Sequence, residues 1–296
     1  MSLSSPNLIS SGGNQGVILR SLREYLALLE GGGSGGARAT TALGGWPLIA
    51  GLVPSNAADA TNDVTFTVGV ARGYNASNET ALLALTASIT KQLDVAWAKG
   101  TNAGGLDTGA VGNNTYHWWL IGNPATREVD VLASLSSTAP TMPSGYTLKR
   151  RIFSFVRLAG ANQVFTAYEK SGGGLYTELK VPVRDFVTNN PSANAVTWTT
   201  SAPLGIKFNV KVNFLVTNTT TQRRWLVTSA DQADTAPSAN LKHGDLPPVI
   251  VDYASNSAEY ELICSTSATI RYRFDSSDVN ITAEGITNGW TDNRVS

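Results

Sequence analysis

The stretch from Ile206 to Val216 constrains the fold of this chain more than any other. Apolar residues occupy every second position, and the residues between them are mostly polar. Because successive side chains of a β-strand point to opposite faces, the apolar side chains share one face. These are Ile206, Phe208, Val210, Val212, Phe214 and Val216. We therefore expect a strand with one face in a hydrophobic core.

The chain after residue 172 holds further strand candidates separated by turn residues. They are Leu175–Val181, Ala195–Thr200, Ile206–Thr217, Arg224–Ser229, Val249–Tyr253, Ala258–Ser265, Thr269–Phe274 and Val279–Ala283. Their number and spacing predict an antiparallel β-sandwich or jelly roll over residues 173–296. The run Ser171–Gly174, SGGG, predicts a hinge or a hairpin tip at the start of this module.

Residues 37–172 predict a second, β-rich module. Its strand candidates are Asp63–Gly69, Tyr116–Ile121, Val129–Leu135, Arg151–Leu158 and Val164–Tyr168. Thr80–Lys99 differs, because Leu82, Leu85, Ile89, Leu93 and Trp97 recur at helical spacing. We expect one or two helices there, packed on the sheet.

Residues 1–36 predict a helix followed by a glycine-rich tether. Leu19, Leu22, Leu26 and Leu29 recur at spacings of three, four and three between Asn14 and Glu30. An isolated helix of this length is marginal in water, so its leucines need a partner surface. That surface belongs to sister copies in a parallel bundle, to another protein, or to the downstream module. The tether favours the first two, because it lets the helix dock away from the body.

Composition and charge exclude several classes of function. Charged residues make up 15% of the chain, and 22 basic side chains balance 22 acidic ones. No net field gathers nucleic acid or anionic lipid. The start of the chain lacks the basic and apolar regions of an export signal, and no apolar stretch is long enough to span a membrane. The single cysteine, Cys264, reads as a buried structural thiol.

The sequence supports no enzyme class and implies no cofactor or metal. Only two histidines are present: His117 lies inside a predicted strand and His243 in a turn. The carboxylate pairs Asp231/Asp234 and Asp275/Asp278 lack the dense oxygen ligands of a calcium loop. A carbohydrate-processing enzyme would need paired carboxylates in a cleft, and we keep it as a third hypothesis.

Two features are candidates for surface contact. Lys149, Arg150 and Arg151 form the main basic cluster, which is either a contact for an anionic partner or a solvated strand end. Trp46, in Gly44-Gly45-Trp46-Pro47 after the tether, could be an exposed anchor, whereas the other tryptophans predict core positions.

Short motifs across residues 56–158 carry a family resemblance. They include Asn62-Asp63, Thr90-Lys91, Leu93-Asp94, Ala96-Trp97, Gly104-Gly105-Leu106-Asp107-Thr108-Gly109, Tyr116-His117, Thr138-Ala139-Pro140, Met142-Pro143 and Lys149-Arg150-Arg151-Ile152. Ser229–Pro237 and Gly289–Arg294 extend the set. Together they resemble a module of tail-fibre-like virion proteins of bacteriophages and prophages. The resemblance implies a place on the particle surface and homo-oligomerisation, and it supplies no catalytic residues.

These observations lead to two functional hypotheses. The first is a tail-fibre or baseplate-associated receptor-binding protein. We expect it to be a homotrimer made in the host cytoplasm that joins other virion proteins through residues 1–36 and binds a host-surface glycan or protein. The second is a capsid decoration or head spike protein whose N-terminal arm grips the shell. Both need a docking arm and an exposed β-rich body, so the sequence leaves both open.

Overall fold

A computed structural model describes residues 49–170, 174–218, 222–246 and 254–294, and within them the fold is all-β. The leucine helix, the tether and Trp46 lie outside these ranges. The first eleven strands are β1 (Ile49–Gly51), β2 (Pro54–Asn56), β3 (Asp63–Phe66), β4 (Gly69–Tyr74), β5 (Thr80–Leu85), β6 (Ile89–Ala96), β7 (Ala103–Leu106), β8 (Thr115–Asn123), β9 (Glu128–Ser134), β10 (Leu148–Leu158) and β11 (Ala161–Asn162).

These eleven strands form one sheet. Its main order is β1-β4-β10-β8-β9-β7-β6-β3-β2, with β5 beside β4 and β11 beside β10. Most pairings are antiparallel, but β7 runs parallel to both β6 and β9. The centre is fully buried: the tryptophans of β8, Trp118 and Trp119, face opposite sides of the sheet and both are inaccessible to solvent. Each face of this sheet is therefore covered by other parts of the chain.

The remaining strands form two smaller antiparallel sheets. They are β12 (Phe165–Glu169), β13 (Leu175–Asn189), β14 (Val196–Thr199), β15 (Asn209–Asn218), β16 (Arg223–Ser229), β17 (Gly244–Leu246), β18 (Ala254–Ile263), β19 (Thr269–Phe274) and β20 (Ile281–Asp292). One sheet has the order β12-β13-β20-β15-β18 and the other β14-β19-β16-β17. The predicted strands within the described residues after 172 are thus confirmed.

Aromatic side chains join the two smaller sheets. Phe214 on β15 is fully buried, and its ring centroid lies 5.4 Å from that of Tyr272 and 6.3 Å from that of Trp225, both in the opposite sheet. Val210, Val212 and Val216 are also buried, so the alternation of β15 is confirmed. Of the residues expected before them, Phe208 is buried just ahead of the strand, whereas Ile206 lies outside the strand and is half-buried. The inward face of this strand is the core between the sheets.

The helix predicted within Thr80–Lys99 is wrong, because this segment forms β5 and β6. In β6 the residues Ile89, Lys91 and Leu93 point inward and are all buried. A lysine in the inward set hid the alternation and left apolar residues that matched a helical spacing by coincidence.

The sheet pairing crosses the predicted module boundary at 172/173. β12 precedes the glycine run and β13 follows it, and the two pair from Phe165↔Leu179 to Glu169↔Leu175. The predicted boundary thus lies between two strands that pair with each other, and residues 171–173 fall outside the described residues. Phe165 also contacts Phe153 of the large sheet at 5.1 Å, so the cores on both sides are continuous.

Candidate recognition surface

The connection from Ser229 to His243, here called the 229–243 loop, is a long exposed segment that contains the Ser229–Pro237 motif. It joins β16 to β17, and its residues are exposed or half-exposed except for Pro237, which is buried. Its side chains are mostly small and polar, including Gln232, Thr235 and Asn240. Such a surface can offer many hydrogen-bonding groups to a partner.

Two arginines of β19 brace this loop from below. Arg271 donates hydrogen bonds to the backbone carbonyls of Ser229 and Gln232, and Arg273 pairs with Asp234 at 2.7 Å. Arg273 Nε also donates to the carbonyl of Ala193 at 2.8 Å. Backbone carbonyls and a carboxylate are strong acceptors for guanidinium groups. An exposed loop held in this way loses little conformational freedom on binding.

The carboxylates of the loop are neutralised from within the protein. Asp231 pairs with Lys207 and Asp234 with Arg273. The second candidate pair is engaged similarly, because Asp275 lies 3.6 Å from Arg224 and Asp278 lies 2.9 Å from Arg223. Within the described residues no group of three or more His, Cys, Asp or Glu is placed to hold a metal ion. Asp234, Asp275 and Asp278 thus pair with partly buried arginines, whereas the side chains of the Asp231–Lys207 pair are 53% and 52% exposed and are screened by water.

The imidazole ring of His243 lies at the C-terminal end of the 229–243 loop. The exposed His243 stacks on Tyr260 with ring centroids 5.4 Å apart, and its Nδ1 accepts a hydrogen bond from the backbone of Val227. Tyr260 accepts a hydrogen bond from Trp225 Nε1 at 3.2 Å. His243 is thus fixed against the aromatic core although its sequence position is a turn.

The basic cluster predicted as a surface contact is largely internal. Arg151 is 3% exposed and forms a two-point ion pair with Asp292, at 2.5 and 3.0 Å. Arg150 is 8% exposed and donates to the backbone carbonyl of Arg294. Lys149 is half-buried, with its Nζ 5.4 Å from the centre of the Trp119 ring. The arginines therefore hold the end of β20 against β10, because each is matched by an internal acceptor.

His117 packs in the strand, as predicted, and belongs to the same buried region. Its ring is 1% exposed, and Nδ1 lies 2.8 Å from Ser154 Oγ, while Arg151 also donates to that hydroxyl. Burial, with a smaller contribution from the positive charge of Arg151, lowers the pKa of His117 to about 4 against the opposing effect of Asp292. The imidazole is therefore neutral at neutral pH.

We expect the protein to lose stability between pH 6.5 and pH 4 because of His117. The unfolded histidine, with a pKa of 6.5, takes up a proton in this range, whereas the folded one stays neutral until about pH 4. Since the unfolded state binds more protons, the free energy of unfolding falls as the pH falls, by roughly 3 kcal/mol in all. Urea titrations at several pH values measure this slope.

The control for this slope is His117→Asn, which retains a hydrogen-bonding side chain without a titrating ring. Other groups, including Asp185, whose pKa is raised mainly by burial, are common to both proteins and cancel in the difference. The variant should depend less steeply on pH over this range. Equal slopes for the two proteins would show that His117 does not titrate differently in the folded state.

A second buried ion pair, between Lys91 and Asp130, was missed by sequence reasoning. Lys91 Nζ lies 3.1 Å from Asp130 Oδ1, and both side chains are almost inaccessible to solvent. Nζ also donates to the carbonyls of Ala98 and Gly100, at 2.5 and 3.1 Å. Burial lowers the pKa of Lys91, and the aspartate opposes that effect. The sequence holds one indication of this pair: Lys91 alternates with the apolar residues Ile89 and Leu93, which places it on the buried face of a strand.

Several remaining predictions concern core side chains. Five tryptophans outside the N-terminal segment are at most 1% exposed, namely Trp118, Trp119, Trp198, Trp225 and Trp290, whereas Trp97 is half-buried. Cys264 is a buried free thiol, as predicted, and burial raises its pKa.

The predicted docking leucines Leu19, Leu22, Leu26 and Leu29 fall outside the described residues, as does Trp46.

The described residues include no helix with the length and apolar character needed to cross a membrane. No protein-family model matches the chain, and a search of curated proteins found no match.

Proposed function

We propose that this chain is a structural protein of a bacteriophage virion, and specifically a tail-fibre or baseplate-associated receptor-binding protein without catalytic activity. In this proposal it is a homotrimer on the particle surface, and residues 1–36 attach it to other virion proteins. The motifs of residues 56–158 and their resemblance to tail-fibre-like proteins support the virion assignment. Residues 173–296 would form a β-sandwich in which the two smaller sheets face each other across the Phe214 core.

The braced 229–243 loop carries the recognition part of the proposal. A binding protein benefits from a surface that is exposed before the partner arrives and already ordered. Arg271 and Arg273 supply that order from β19, and the outward side chains remain available. Because its carboxylates are already paired, the loop is suited to an uncharged hydrogen-bonding partner such as a host-surface glycan or a polar protein segment.

Removal of residues 1–36 tests the attachment role. We expect the truncated chain to fold as the β-rich body and to be missing from purified particles, since the leucine helix provides the docking surface. Replacing Leu22 and Leu26 together with Asp should have the same effect, because charges at the seam oppose its burial. Quantitative immunoblotting of particles measures incorporation. Wild-type levels of both variants in particles would contradict the proposed attachment segment.

Substitution in the loop tests the recognition role. Thr235→Arg adds bulk and charge to an exposed position of the 229–243 loop, and it should weaken binding of the protein to host cells by at least about tenfold, equivalent to about 1.4 kcal/mol, and so reduce adsorption of particles. Thr108→Arg is the matched control, since Thr108 is an exposed loop residue of the large sheet. Equal adsorption by both variants and the wild type would place the receptor contact elsewhere.

A further inference from the structure

β1 is weakly held by its own sheet. It has three residues and pairs with β4 through Ile49↔Ala71, Ala50↔Val70 and Gly51↔Gly69. It is also the first strand of the described chain, and so it stands between the body and the preceding segment. A strand of this length would fray readily if backbone pairing with one neighbour were its only support.

The backbone leaves β1 in an unusual conformation. Gly51 has a φ of 68° and Leu52 a φ of 55°, so two successive residues are left-handed. Glycine adopts this conformation without a steric penalty, but in leucine the Cβ atom crowds the following carbonyl oxygen. Such a conformation persists only where surrounding contacts determine it.

Leu52 is fully buried and its backbone N–H donates to the carbonyl of Val68 at 3.2 Å, whereas the contacts of Gly51 come from distant parts of the chain. The backbone N–H of Gly51 donates to both carboxylate oxygens of Glu169, each at 3.2 Å, and its carbonyl accepts from Arg294 Nη1 at 3.1 Å. Arg294 Nη2 closes the ring by pairing with Glu169 at 2.7 Å. Both polar groups of the Gly51 backbone are thus held by a single ion pair.

The same segment is fixed to the large sheet. Asp292 accepts a hydrogen bond from the backbone N–H of Arg294 at 2.9 Å and pairs with Arg151, while Arg150 binds the carbonyl of Arg294. Asp292, Arg294 and Arg151 are each at most 3% exposed. Burial alone would raise the pKa of Asp292, but the positive charge of Arg151 and its hydrogen bonds hold that pKa below its usual value. The carboxylate is therefore charged and bound at neutral pH.

We propose that residues 292–294 act as a strap that locks β1 onto the body and so fixes the point where the preceding segment joins it. The strap links β1 to β12 through Glu169 and to β10 through Arg150 and Arg151. A load applied through the preceding segment passes into both sheets instead of peeling β1 from β4. The load-bearing role rests on the proposed function, because it requires residues 1–36 to attach the chain to a particle.

Hydrogen exchange of single backbone amides in the full chain tests the strap. In Arg294→Met the amides of Gly51 and Leu52 should exchange at least about tenfold faster than in the wild type, whereas that of Trp119 in β8 should change by less than about twofold. Arg271→Met is the matched control. It loses bonds to the 229–243 loop and should leave the Gly51 and Leu52 amides unchanged.

Glu169→Gln provides a second variant of nearly unchanged shape if Arg294→Met does not fold. It should also speed exchange at Gly51 and Leu52 selectively. Unchanged exchange at these amides in a folded variant would overturn the strap, and so would an equal acceleration at Trp119, because the network would then support the whole fold. Exchange is measured on the isolated protein, without particles. The strap can therefore be overturned while removal of residues 1–36 still prevents incorporation into particles, and the attachment role can fail while the strap holds.

Discussion

Replacing Lys91 with methionine should lower the free energy of unfolding by about 3–5 kcal/mol. The substitution removes the cation that faces Asp130 and leaves a carboxylate in a site that is almost inaccessible to solvent. It also leaves the carbonyls of Ala98 and Gly100 without their donor. Chemical denaturation followed by circular dichroism measures the change.

The matched control is Lys99→Met, in the connection that follows β6. Lys99 pairs with Glu128, but the two side chains are 61% and 37% exposed, so water and salt screen the pair. Its loss should cost less than about 1 kcal/mol. Adding Asp130→Asn to Lys91→Met should recover part of the loss, because it removes the unpaired charge. Equal losses of unfolding free energy in Lys91→Met and Lys99→Met would show that the buried pair contributes no more to stability than the exposed pair.

Phe214→Ala should also destabilise the protein by about 3–5 kcal/mol. The phenyl ring is fully buried, and its neighbours include the rings of Phe186, Trp198, Trp225, Tyr272 and Phe274. Alanine would leave a cavity between the two smaller sheets that these large rings cannot fill without leaving their rotamers. The same denaturation experiment, together with tryptophan fluorescence, reports the loss.

Leu215→Ala is the control for this cavity. Leu215 is the next residue of β15, on the opposite face of the strand, and its side chain is partly exposed. Its truncation should cost less than about 1.5 kcal/mol, because part of the side chain stays in contact with water in the folded protein. A loss at Leu215 as large as that at Phe214 would contradict the assignment of the core to the even-numbered face of β15.

Strands with regular alternation could be predicted from the sequence because their pattern is local. β15 alternates from Val210 to Val216 and its buried face contains the residues expected there, whereas the expected Ile206 precedes the strand and is half-buried. β6 could not be recognised in this way, because its inward set includes Lys91, whose partner Asp130 lies on another strand. A charged residue is normally predicted to face solvent unless an oppositely charged partner is known. Here the partner is brought close only by the arrangement of distant strands.

The candidate recognition surface was also hard to predict from the sequence, because the partners of its charged residues lie far away along the chain. The basic cluster at Arg150 and Arg151 suggested a surface, but its acceptors are supplied by residues more than a hundred positions away. Asp231 and Asp234 lie in a turn-like sequence, and only the fold places Lys207 and Arg273 beside them. Their role in ordering the 229–243 loop follows from these long-range contacts.

The position of the protein in an image of the intact particle tests the central proposal most directly. Electron cryo-microscopy of particles carrying a labelled antibody fragment against the body should show the label at the tail fibres or baseplate, in groups that match three copies per attachment point. Label on the capsid shell would contradict the receptor-binding proposal and support a decoration or spike protein. Particles without label, purified from cells that make the protein, would contradict a virion role altogether.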